Sequence, residues 1–220
     1  VAAQGFADRL TMNFYRNLIL VALILTFGVV SLGAYVRLSD AGLGCPDWPG
    51  CYGKITPIHA ADAINAELAV SPEGPVSHAK AWKEMVHRYF AGSLGLLVLA
   101  ISVLAWRWRR DTAGGPGLPM VLLALIVFQA LLGMWTVTLL LKPLVVTGHL
   151  LGGMATLSLL LWLWLRERGQ SSHGYYARVD RLRGSVAMGL VLVVTQIALG
   201  GWVSTNYAAL ACTDFPLCQG

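Results

Sequence analysis

Five apolar runs alternate with polar stretches along this chain of 220 residues, at 18–36, 84–106, about 120–141, about 145–165 and about 184–205. Each is about 20 residues long, enough for a helix to cross about 30 Å of hydrocarbon. The two-residue alternation of a membrane barrel strand is absent. The pattern predicts an all-α polytopic membrane protein: a four-helix transmembrane bundle followed by one further helix. Residues 1–17 read as a cytoplasmic N-terminal segment and 18–165 as the four-helix unit, with a long outer loop at 37–83. Residues 166–183 read as a cytoplasmic linker and 184–220 as a helix with an outer cysteine loop.

Composition agrees with that pattern. The chain is 56% hydrophobic and 12% charged, against about 25% charge in ordinary soluble domains. Its net charge of +5 does not point to nucleic acid, because the basic residues gather at the ends of the apolar runs. Arg9, Arg16, Arg107, Arg109, Arg110, Arg166, Arg168, Arg178, Arg181 and Arg183 fall on one side of the predicted membrane. Arg37, Lys54, Lys80, Lys83, Arg88 and Lys142 are spread over the longer loops of the other side. The positive-inside rule then puts the N-terminus in the cytoplasm of a cell inner membrane. The first run is too long for a cleaved signal and reads as a signal-anchor.

All four cysteines fall outside in this topology. Cys45 and Cys51 bracket Pro-Asp-Trp-Pro-Gly, and Cys212 and Cys218 bracket Thr-Asp-Phe-Pro-Leu. In an oxidising compartment each pair can close a small disulfide loop. Free or redox-cycling thiols are the rival reading. Zinc fits less well, because no histidine stands at ligand spacing beside them.

A shift of 167 residues aligns Gly33-Ala-Tyr-Val36 with Gly200-Gly-Trp-Val203, and the first cysteine loop with the second. The fifth run therefore reads as a repeat of the first, as in membrane proteins built from parallel units. The expectation is one full four-helix unit and the opening helix of a second, incomplete one.

Ionisable groups at the mouth of a membrane helix are costly and need a reason. Glu84, His87 and Arg88 open the second run, and His149 opens the fourth. The two runs are parallel, so both histidines can sit at one depth. Neutral imidazole is an ordinary axial ligand of heme iron, and the pair suggests a bis-histidine heme. The competing reading makes each histidine an interfacial residue, and makes Glu84 a first-turn carboxylate favoured by the helix dipole. Gly152, Gly153, Gly92 and Gly95 would let a flat macrocycle approach. Arg88, Lys80, Lys83 or Lys142 could pair with a propionate. His59, His78 and His173 read as solvated, and Gln129 and Gln196 as helix–helix hydrogen bonders.

On these residues the chain resembles the heme A synthase family. The resemblance rests on Val36-Arg-Leu-Ser-Asp-Ala-Gly-Leu-Gly-Cys-Pro-Asp-Trp-Pro-Gly-Cys51, Glu84-Met-Val-His-Arg88, His149-Leu-Leu-Gly-Gly153 and Gly200-Gly-Trp-Val203. It implies oxidation of a heme O methyl to the formyl of heme A by successive hydroxylation, in cytochrome oxidase assembly. It makes His87 and His149 the axial ligands of the substrate iron, Glu84 the essential acid, and Cys45–Cys51 the outer cysteine pair. It also implies a heme O synthase as supplier, and a heme b in a second half whose histidines have no counterpart here. A quinone or another electron acceptor, a homo-oligomer and lipid contacts are compatible with it. The rival function is an electron-transfer cytochrome b with the same histidine pair.

Overall fold

The computed structural model describes residues 2–169, 182–208 and 211, with side chains from residue 10 onward. Among these residues are six helices: α1 Ala2–Leu38, α2 Ala61–Val70, α3 His78–Arg107, α4 Gly117–Thr138, α5 Pro143–Glu167 and α6 Arg183–Thr205. All but α2 contain a stretch long and apolar enough to cross a membrane, and the protein is a multi-pass membrane protein. No named strand occurs among the described residues; Cys51 and Lys54 form an isolated bridge.

Helix α1 packs on α3, α3 on α4, α4 on α5, and α5 back on α1, which closes a four-helix ring. Short connections from α3 to α4 and from α4 to α5 make those neighbours antiparallel. Helix α6 packs on α5, where Gly201 lets Leu150 and Thr147 approach. At the end nearest the 37–83 loop, Arg37 donates to the Ser204 carbonyl and the Tyr207 hydroxyl donates to Asp40 at 3.1 Å. Each of these contacts joins positions 167 residues apart.

Element boundaries differ from the apolar runs where capping and turns intervene. Helix α3 starts at His78, not 84, because the Ser77 hydroxyl caps it by accepting from the Lys80 N–H at 3.2 Å. Glu84 and His87 are thereby carried inside a formed helix. Helix α4 stops at Thr138, and Leu140 and Leu141 take φ of 51° and 57° to turn the chain into Pro143. Proline suits the first turn of α5, where its missing N–H costs nothing. The polar loop contains α2, whose Ile64 is fully buried.

Two separate cores result. One lies deep in the bundle around Tyr15, Ile19, Val98, Ile101, Leu122, Leu160 and Leu163. The other lies under the loop around Cys45, Cys51, Ile64, Ala81 and Met85. Neither includes α5 between Pro143 and Ser158, or α4 beyond Ile126. The predicted site residues lie in that intermediate layer.

Candidate functional site

In the intermediate layer each histidine ring rests on a glycine of a neighbouring helix. A Cβ on Gly33 of α1 would stand 3.1 Å from His87 Cε1, and one on Gly133 of α4 would stand 3.6 Å from His149 Cε1. Any larger residue at Gly33 would force the His87 ring aside. The two histidines lie within electrostatic reach of each other. The Val29 carbonyl lies beside the His87 ring. Nδ1 of His87 and Nδ1 of His149 are both buried without a hydrogen-bond partner among the described residues. Leaving a buried polar atom unpaired costs about 1–3 kcal/mol, and these two ring nitrogens make the layer a candidate ligand site.

Gln129 belongs to the same layer. It is 8% exposed and its amide nitrogen also lacks a partner among the described residues. A Cβ on Gly152 would fall 1.8 Å from that nitrogen and 3.4 Å from the amide oxygen, so the amide points its nitrogen at the α5 backbone one turn deeper than His149. Gly153 faces Val30 of α1, and Gly95 faces Ile126; these two serve helix packing.

Glu84 and Arg88 face the cysteine loop. Glu84 is 4% exposed. Its Oε2 accepts the Cys45 N–H at 2.9 Å, and its Oε1 pairs with Arg88 across one helical turn. The Arg88 guanidinium also donates to the Asp47 carbonyl at 2.8 Å and the Gly50 carbonyl at 2.5 Å. Both terminal nitrogens of Arg88 are therefore engaged by protein, and the residue straps the loop to α3. Cys45 and Cys51 form a disulfide, S–S 2.08 Å. The Asp47 carboxylate accepts from the Tyr52 and Gly53 N–H groups, 2.6 Å each, and closes the loop. Gly44 must be glycine, because its Cβ would lie 2.6 Å from the Lys80 backbone.

The remaining candidates separate from this layer. Lys80 pairs with Asp40 at 3.7 Å, and Lys83 lies over the Tyr35 ring. His59 bonds Thr56 and His78 bonds Asn65, both exposed. Gln196 is exposed on α6. His173, Cys212 and Cys218 lie outside the described residues. Among the described residues no group of three or more His, Cys, Asp or Glu could hold a metal ion; a planar macrocycle needs only the axial pair. Sequence reasoning missed Gly33 and Gly133 as ring supports. The signal for Gly33 was its place in the repeat, and for Gly133 its position one turn from Gln129.

Fold and site together define a multi-pass helical membrane protein with two histidines inside its bundle. Residues 16–220 match the family described as cytochrome oxidase assembly protein, and the chain belongs to that family. It is 48% identical over 204 residues to the heme A synthase of Shewanella oneidensis, an overlap of 92% of this chain and 61% of that protein. It is 26% identical over 213 residues to the heme A synthase of Shouchella clausii, covering 94% and 65%. It is 27% identical over 237 residues to that of Rhizorhabdus wittichii, covering 98% and 67%. The chain thus spans about three fifths to two thirds of the length of these curated relatives. No solved structure matches it.

Proposed function

We propose that the layer between the two cores binds heme O, and that the protein oxidises its ring methyl towards the formyl of heme A. The observation that carries this reading is the histidine pair: two rings on α3 and α5, each seated on a glycine, each with a buried unpartnered nitrogen. These features fit an iron porphyrin. Coordination to iron would hold each ring and fix its tautomer, and glycine lets the neighbouring helix stand close to it. The similarity to heme A synthases over nearly the whole chain supports the same substrate.

In this reading His87 and His149 occupy both axial positions, so the iron offers no site to oxygen. Each hydroxylation would then pass two electrons from the macrocycle edge to a quinone or another acceptor, release two protons and take its oxygen atom from water. Glu84 is held by Cys45 and Arg88 three residues from His87. There it can accept a proton from the methyl or stabilise positive charge developing on it. Arg88 acts as a positioning residue through Glu84 and the loop. Lys142, exposed at the outer end, serves a propionate. The positive-inside asymmetry supports an inner-membrane protein with the cysteine loop outside. The contacts between positions 167 apart support the repeat: residues that touch their own equivalents lie where a two-fold axis would pass.

The test is Glu84→Gln in the chain co-expressed with a heme O source. The variant should retain heme O and stall before the formyl product, read by mass of the extracted heme. Parental product yield would remove Glu84 from the chemistry. Heme b bound and never modified in the parent would favour the electron-transfer cytochrome.

A further inference from the structure

Resting on the heme O reading, we infer that Gln129 is the specificity residue of this site: its side-chain amide hydrogen-bonds the hydroxyl of the long-chain substituent that distinguishes heme O from protoheme. Gln129 is polar and 8% exposed, and its amide nitrogen has no hydrogen-bond partner among the described residues, in the layer that also holds His87 and His149. A helix–helix hydrogen bond, the ordinary reason for a mid-membrane glutamine, is not what its amide nitrogen makes. The nitrogen lies on Gly152, one turn deeper than His149 and at the same α4–α5 seam as Gly133 under the His149 ring.

The chemistry of the substrate meets this position. The propionates of a heme are ionised and belong at the polar interface, where the basic residues of the outer end are. The opposite edge of the ring then points deeper. In protoheme that edge is hydrocarbon; in heme O it bears a hydroxyl at the root of the isoprenoid chain. A hydroxyl both donates and accepts, so it matches either end of an amide. Buried polar groups built to bond a substrate hydroxyl reject the analogue that lacks it, because the protein group is left unpaired. Gln129 would thus admit heme O and disfavour protoheme.

The experiment is a titration of the heme-free, detergent-purified chain with heme O and with protoheme, followed by the Soret band. The parent should bind heme O about tenfold more tightly than protoheme, the size of one buried hydrogen bond. Gln129→Leu should weaken heme O by about the same factor and leave protoheme unchanged. Gly152→Ala provides a second route, because its methyl must displace the Gln129 amide while the flexible side chain can move. It should flatten the discrimination in the same way, and it carries the test if Gln129→Leu does not fold. Equal loss of both hemes, or discrimination that survives both variants, would overturn the inference and return Gln129 to helix packing. If the parent binds heme O but does not prefer it, only the specificity inference fails. If the parent binds no heme, the heme reading itself fails.

Discussion

The bundle has a buried glutamate beside an arginine at each end, and the two differ in what they serve. At the cysteine-loop end Glu84, 4% exposed, pairs with Arg88 and accepts the Cys45 N–H. At the other end Glu167, 1% exposed, lies 3.6 Å from Arg166 and accepts the Ala113 N–H at 3.1 Å. Each carboxylate pins a loop to the end of a helix. Only Glu84 stands three residues from a histidine in the layer between the cores. Glu167 sits instead beside the apolar core, near Tyr15, and its Oε1 has no hydrogen-bond partner among the described residues. Loop pinning by itself is therefore a structural role, and the Glu167 end shows what it looks like without the histidine layer beside it. Any catalytic part of Glu84 must appear as an effect that Glu167 lacks.

The largest expected effect separates the layers outright. His87→Ala or His149→Ala should abolish heme retention, read as loss of the Soret band in purified protein, whereas Tyr15→Phe at the other end should retain it. The next contrast sets the glutamates against each other. Glu84→Gln should lower formyl product per bound heme about 100-fold, the lower range of acid–base contributions. Glu167→Gln should leave product per heme unchanged. Equal losses would make Glu84 a loop pin and nothing more. Third, Arg88→Ala strands Glu84 in a site where the pair is 11% and 6% exposed. Removing one partner of a buried pair costs about 3–5 kcal/mol, read as a lower thermal midpoint. The smallest effect belongs to the disulfide. Cys45→Ser with Cys51→Ser should cost about 2 kcal/mol, because the closed loop is short. Product per heme should hold as long as Cys45 N–H still reaches Glu84.

The architecture was legible in the sequence because the bilayer demands apolar runs of fixed length, and α1, α3, α4, α5 and α6 each contain one. The Cys45–Cys51 pairing was legible from local spacing. Helix α2 was not, since Ala61–Val70 lies in a Gly- and Pro-rich loop and is secured by burial of Ile64 rather than by periodicity. The start of α3 was placed late because the Ser77 cap acts on residues that are not apolar. Within the site, Glu84, His87 and His149 stood out because ionisable residues are conspicuous beside hydrocarbon. What Arg88 does was hidden. Its partners Asp47 and Gly50 lie 41 and 38 residues away, and no local pattern links them. Gly33 and Gly133 were equally hidden, because a glycine reveals a close approach only when the approaching ring is in place.

The central claim is that His87 and His149 hold heme O. The direct test is identification of the heme extracted from the detergent-purified chain after co-expression with a heme O source, by pyridine hemochrome spectrum and mass. The account predicts heme O with its hydroxylated or formyl products, lost together in His87→Ala. No heme, or heme b alone and unchanged by His87→Ala, would contradict it.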